Sequence, residues 1–404
     1  MKITFKKIVS FTLAAAMAVG AAFTLASCGK KDSETLKIGV SAPLTGVAAQ
    51  YGIAVRNSAQ LAIDEINAME DNGLGMKFEL LAFNDEHKKE NVTTTYSSMY
   101  EKGMHVSIGT VTTAPGLEFK EMSNDDNVFV LTPSATGDAI VEDYDNAYQM
   151  CFSDSNQGTA SAKFFNENYQ GKKIGVFYKS DDEYSTGIYE KFSAALDQSF
   201  KTAGVTTATF SGDGLVFDTQ VDALKGCDVI FLPIYSEPAA AFMKSGVGKI
   251  ANSAVYYGCD GLDGIEAKFG TMDEFMAIPQ EVSFLSHFNS AATSGPAYDF
   301  VQKYNAKYDE DKEPVNQFGA AAYDCIYAIY EALKFAKAKG VEFDYDTTAS
   351  EYCEILKAVF NDSTFVFHGV TGKCEGDNKS NISWTSDGFV NKEAVKYVVK
   401  DNND

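Results

Sequence analysis

Leu36-Lys37-Ile38-Gly39-Val40-Ser41-Ala42-Pro43-Leu44-Thr45-Gly46 opens the stretch whose pattern decides the fold. Leu36 to Val40 is short, apolar and bounded by turn residues, so it reads as a strand. A segment from Asn57 follows in which Ala59, Ala62, Ile63, Ile66 and Met69 share one helical face. The alternation then repeats: strand 78–83, helix 91–102, strand 106–111, a helix opened by Pro115, strand 128–132. Proline suits a first helical turn, where its missing N–H would be unpaired anyway. A second series starts near Asp154: helix 157–169, strand 173–178, helix 188–203, then strands 229–235 and 254–258 with a helix between them. From Gly295 the pattern is helix-rich, with Ala322, Ile326, Ile329 and Leu333 on one buried face. The tail from Thr364 reads as short strands and turns. The strands are continuous apolar runs, as expected when both faces are covered. Repeated βα units of this kind predict parallel sheets with helices on both sides. Two series predict an α/β chain of two doubly wound parallel-sheet lobes.

Ahead of these series, Lys2, Lys6 and Lys7 precede an apolar run from Ile8 to Phe23. That run is short for a membrane span and gives way to polar residues, so it reads as a secretory signal. Leu25-Ala26-Ser27-Cys28 resembles the bacterial lipobox. Residues 1–27 are then a lipoprotein signal peptide, Cys28 carries lipid, and 28–35 form a polar tether. The expected location is outside the cytoplasm, lipid-anchored to the outer face of the cell membrane. No later segment reads as a span.

The remaining length suits about two domains. A formal net charge of -22 argues against a nucleic-acid partner. We read the acidity as a solvated surface rather than a substrate preference. Arg56 is the only arginine, so no arginine cluster can clamp an anion. Cys151, Cys227, Cys259, Cys325, Cys353 and Cys374 remain beside Cys28. Outside the cytoplasm an even number permits disulfides, in pairings the sequence leaves open. Most lie in apolar runs, which favours buried free thiols.

An enzyme needs a nucleophile, metal ligands or a cofactor loop. There is no Gly-x-Ser-x-Gly elbow, and Gly246-Val247-Gly248-Lys249 lacks the spacing of a phosphate loop. His87, His105, His287 and His368 are far apart, and each reads as a surface or core histidine. We therefore expect no catalysis, no metal and no cofactor.

Polar residues do gather after the predicted strands, at the edge where open parallel sheets bind ligands. Thr112-Thr113-Ala114-Pro115 follows one strand, and Thr132-Pro133-Ser134-Ala135-Thr136 another. Ser153-Asp154 and Asp260-Gly261 follow two more runs. Each element alone also looks like a helix cap or a loop acid. Together, hydroxyls and helix-start N–H groups suit a carboxylate, and two aspartates suit an ammonium. That is a site for a zwitterion.

The same residues carry a family likeness. Ile38 to Gly46, Gln50-Tyr51-Gly52, Ala62 to Asn67, Ile108 to Thr113, Thr132 to Thr136 and Asp154-Ser155-Asn156-Gln157-Gly158 follow in an order that resembles the branched-chain amino acid-binding proteins of ABC importers. The resemblance implies the type I periplasmic-binding-protein fold, two lobes joined by three hinge crossovers with the ligand between them. It implies lobe 1 from 36–153 and 286–363, and lobe 2 from 154–285 and 364–404. It places Thr112 or Thr113, Ser134 and Thr136 on the ligand carboxylate, and Asp154 and Asp260 on the ammonium. Tyr184 and Tyr235 would close over the ligand, with Tyr51 and Phe318 as walls of the side-chain pocket. The implied partner is the membrane permease of an ABC importer, served by a monomer. Thr110-Val111-Thr112-Thr113 and Cys259 depart from the family pattern and leave the side chain open. An amide, a urea-like solute or a nucleobase is the alternative ligand, and a ligand-sensing lipoprotein the alternative role.

Overall fold

The computed structural model describes residues 35–308, 313–374 and 379–401; the signal, Cys28 and nearly all of the tether lie outside them. The first sheet is built from β1 (Thr35–Ala42), β2 (Lys77–Asn84), β3 (Val106–Thr110), β4 (Val130–Thr132) and β5 (Ala147–Gln149), in the order β2-β1-β3-β4-β5. The pairs β1–β3, β3–β4 and β4–β5 are parallel. The second sheet contains β6 (Ile174–Lys179), β7 (Thr206–Phe210), β8 (Val229–Leu232), β9 (Val255–Gly258) and β10 (Glu281–Ser286). Two short strands, β11 (Phe367–Gly369) and β12 (Ser380–Ile382), pair with each other, and β13 (Val395–Lys400) joins the second sheet antiparallel to β10. Its order is β13-β10-β9-β8-β6-β7.

Each sheet is covered on both faces, which is why central strands such as β3 and β8 are fully buried. Phe129 and Leu131 enter one core cluster, Val128 and Val130 another. In the second sheet Ile230 and Leu232 face one cluster, Val229 and Phe231 the opposite one. The helix Gln317–Ala338 packs along the helix Ala49–Ala68 and buries Ala322, Ile326, Ile329 and Leu333 as the pattern predicts. The helix Ala49–Ala68 begins well before Asn57, because Tyr51, Ala54 and Val55 are buried in the same face.

The helix predicted over 188–203 is two helices, Glu183–Ala195 and Gln198–Ala203, because Leu196 is extended at the junction. Strand β7 went unread because it is a largely exposed edge with one buried residue, Ala208. The segment after Thr364 does not all belong to the second lobe. Phe365, Phe367, Val370 and Ile382 lie in the core of the first, and only β13 joins the second sheet. Asp324 explains the docking. Its carboxylate accepts the N–H groups of Val370 and Thr371, both at 2.9 Å, and the Thr371 hydroxyl. Buried Lys392 then donates to the Thr371 hydroxyl and to the carbonyl of Met150 on the first crossover. The chain thus passes three times between the sheets: after β5, after β10 and before β13. All six described cysteines are free thiols, five buried and Cys374 half-buried.

Candidate functional site

The strand orders locate the cleft. An open α/β sheet binds ligands at the carboxyl ends of its strands, where the strand order reverses. In the first sheet that point lies between β1 and β3. Tyr51 follows β1, and Thr112 follows β3. In the second sheet it lies between β6 and β8. Tyr184 follows β6, Tyr235 follows β8, and Asp260 follows the adjacent β9. The two edges face each other and enclose a cavity of about 10 Å³ lined by Tyr51, Thr112, Ser134, Tyr184, Tyr235, Asp260 and Phe318, with Val111 and Gly261. That is room for about one water molecule. Any solute larger than water must enter by separation of the lobes.

On the first lobe, Thr112 precedes the helix Thr113–Asp125, so free N–H groups and two hydroxyls converge at its start. Ser134 donates its hydroxyl to the Val111 carbonyl at 2.6 Å. Thr113 accepts the Gly137 N–H at 3.3 Å, and the Thr136 carbonyl accepts the Asp154 N–H at 2.8 Å. Thr113, Thr136 and Asp154 are buried beside the cavity without lining it.

On the second lobe the acids dominate. Asp260 is 1% exposed, and its carboxylate accepts the Tyr184 hydroxyl at 2.7 Å. Tyr184 also accepts the Gly261 N–H at 2.9 Å, and its ring stacks on Tyr235 with centroids 4.8 Å apart. Burial pushes the Asp260 carboxyl up to about 6. Asp154 is 3% exposed and one of its carboxylate oxygens has no hydrogen-bond partner. Burial holds Asp154 well above the usual carboxylate range, and the charge of Asp260 adds to the shift. Neither acid forms an ion pair with a described residue. Two buried acids without a cation are costly in isolation, so their arrangement is complementary to positive charge.

The lobes touch across the cleft. The Tyr51 hydroxyl donates to the Gly261 carbonyl at 2.7 Å, lies 2.8 Å from the Ser236 hydroxyl, and accepts the Ser236 N–H at 3.0 Å. Gln50 donates to Ser236 and to the Asp263 carbonyl, and Asp263 accepts the Gln317 N–H at 2.8 Å. Phe318 meets the Tyr51 ring edge-on at 4.9 Å.

Several of these residues escaped the sequence reading. Gln157 accepts the Asp260 N–H at 3.0 Å and lay unnoticed inside a quoted motif. Asp263 and Ser236 were not singled out at all. His87, expected to be a surface or core histidine, sits at the cleft with Nδ1 2.9 Å from the Thr112 hydroxyl. A larger cavity of about 920 Å³ lies at the second and third crossovers, lined by Ser286, His287 and Lys392 among others. It contains none of the residues at the two switch points, so the small cleft is the better candidate.

Two doubly wound lobes, three crossovers and a closed polar cleft define a two-lobed solute-binding protein. The chain belongs to the periplasmic binding protein family, whose model it matches over residues 35–351. It is 26% identical over 366 residues to the Leu/Ile/Val-binding protein BraC3 of Rhizobium johnstonii, covering 89% of this chain and 94% of that one. It is 24% identical over 383 residues to the leucine-, isoleucine-, valine-, threonine- and alanine-binding protein of Pseudomonas aeruginosa, covering 92% of each. It superposes with a TM-score of 0.70 on the substrate-binding protein LivJ of Streptococcus pneumoniae in complex with isoleucine, at 25% identity, covering 90% of this chain and 100% of that one. Proteins of this family capture small solutes outside the cytoplasm for ABC importers. No helix among the described residues is long and apolar enough to cross a membrane.

Proposed function

We propose that this chain captures a small amino acid, of branched-chain or related type, for the permease of an ABC importer and does no chemistry on it. The observation that carries this reading is the pairing of two cation-free buried acids on one lobe with a hydroxyl and helix-start cluster on the other. Thr112, Thr113, Ser134 and Thr136 take the carboxylate, and Asp154 and Asp260 take the ammonium. Tyr51 and Phe318 bound the side chain, and Tyr184 and Tyr235 close over it. Only a ligand with both ends satisfies both lobes, so binding favours closure. Hydrogen bonds to charged groups contribute roughly 1.5–3 kcal/mol each, so three or four supply the approximately 8 kcal/mol of micromolar capture. The relatives' named ligands support the same class.

The protein acts as a monomer held to the membrane by lipid on Cys28, which keeps its search for the permease local. Loss of membrane association in Cys28→Ala tests the anchor. Calorimetry with L-leucine, L-isoleucine, L-valine, L-threonine and L-alanine tests the site. Asp154→Ala and Asp260→Ala should each weaken binding by about tenfold or more. Unchanged affinity in both variants would end the ammonium assignment. A thermal-shift response to amides or nucleobases alone would replace the ligand class.

A further inference from the structure

We infer that His87 is a positioning residue of the cleft: its Nδ1 orients the Thr112 hydroxyl so that the hydroxyl hydrogen points at a bound carboxylate. The inference rests on the carboxylate reading proposed above. His87 lies just after β2, outside every motif that the sequence reading used. Its ring bridges the lobes. Nδ1 is 2.9 Å from Thr112 Oγ1 on the first lobe, and the ring meets Tyr235 of the second lobe edge-on at 5.2 Å. Both Thr112 and Tyr235 line the cavity.

The backbone aims the ring. Glu86 and His87 have φ values of 56° and 61°, a left-handed pair uncommon outside glycine. Buried Asp85 stabilises it by accepting the His87 N–H at 2.9 Å, and Ser41 donates its hydroxyl to the same carboxylate at 3.0 Å. A strained turn held this way is a feature of functional sites.

The consequence follows from counting hydrogens. A hydroxyl has one hydrogen and two lone pairs. With Nδ1 unprotonated, Thr112 must give its hydrogen to His87 and present lone pairs to the cleft, which repel a carboxylate. With Nδ1 protonated, His87 donates, and the Thr112 hydrogen is free for the ligand. A carboxylate therefore selects the Nδ1–H form, as the neutral tautomer or as imidazolium. The charged groups acting on the ring are Asp182 and Glu183 at the start of one helix, Lys179 at the end of β6, Asp213 in the loop after β7, and Asp85 on its own turn. Burial holds the imidazole below its ordinary range while Asp182 pulls it back up. The ring is thus neutral near pH 7, where tautomer selection applies, and gains the donor outright on acidification.

The test is calorimetry of the full soluble chain with L-leucine, L-isoleucine and L-valine. His87→Phe keeps a ring and removes Nδ1; its affinity should fall about tenfold or more. His87→Asn tolerates the left-handed backbone and places an amide donor near the Nδ1 position. It should retain affinity to within about threefold. An equal loss in His87→Asn and His87→Phe means that the ring only packs and overturns the inference. Unchanged affinity in His87→Phe alongside a loss in Thr112→Val overturns the role of His87 and leaves the carboxylate site standing. Unchanged affinity in Thr112→Val, or no binding of any of the three amino acids to the wild type, overturns both.

Discussion

At the scale of single residues, Asp260 sets binding against stability. Its carboxyl is pushed up to about 6 by burial, as is that of Asp85, and Asp263 is pushed up to about 7. All three lie above the unfolded carboxylate value of about 3.9. Between those values the folded state binds more protons than the unfolded state, so stability is greatest at low pH and falls as pH rises through about 6 to 7. The melting temperature of the ligand-free protein should therefore rise when pH is lowered from about 7.5 to about 5. Amino-acid affinity should move the other way, because a protonated Asp260 no longer attracts an ammonium. Asp260→Asn should stabilise the ligand-free protein at neutral pH by about 1–2 kcal/mol while abolishing its response to amino acids. A thermal melt with and without ligand reads both effects at once. Asp154 and Asp260 were legible in the sequence because they follow apolar runs. His87 was not, because nothing local distinguishes a histidine aimed at the cleft from one on the surface.

At the scale of elements, the site depends on how closely helices approach. Gly158, in the helix Asp154–Asn168, faces the helix Glu183–Ala195. A Cβ there would lie 2.8 Å from the Ile188 carbonyl oxygen and from the Phe192 nitrogen. Backbone cannot yield cheaply, so Gly158→Ala should cost about 1–3 kcal/mol by overpacking. These two helices begin at Asp154 and just before Tyr184, so ligand affinity should fall with stability. Chemical denaturation and calorimetry on the same variant check the pair of effects. Asp324 is a second such point. Asp324→Ala leaves the N–H groups of Val370 and Thr371 buried and unpaired, at about 1–3 kcal/mol each. Equilibrium urea unfolding should show a loss of about 3 kcal/mol or more. The helix Gln317–Ala338 was plain from its apolar period. Its capture of the chain after Thr364 was not, since the partners lie 46 and 47 residues apart.

At the scale of the molecule, the cleft is shut by contacts that link the lobes directly. Tyr51 carries three polar contacts to Ser236 and Gly261, residues of the opposite lobe. Tyr51→Phe removes them, keeps the ring against Phe318, and takes the Tyr51 partner from the buried Gly261 carbonyl and Ser236 N–H. The closed form should lose about 1–3 kcal/mol relative to the open one. Small-angle scattering should show a larger radius of gyration for ligand-free Tyr51→Phe than for the ligand-free wild type. Closure that survives this substitution would place the latch elsewhere, on Gln50 and Asp263.

The order of short apolar runs and helical segments by itself determined two parallel-sheet lobes, because hydrophobic periodicity is local and both faces of each strand must be covered. It also placed Thr112, Ser134 and Asp260 just after strands, which is where a parallel sheet presents its binding edge, while Tyr184 and Tyr235 came only with the family likeness. Only the tertiary structure decided that the two edges face each other, that the chain after Thr364 returns to the first lobe, and that His87 meets Thr112 and Tyr235. Those are contacts between residues far apart in sequence. Their geometry follows from how sheets, helices and crossovers pack, and no local pattern encodes it.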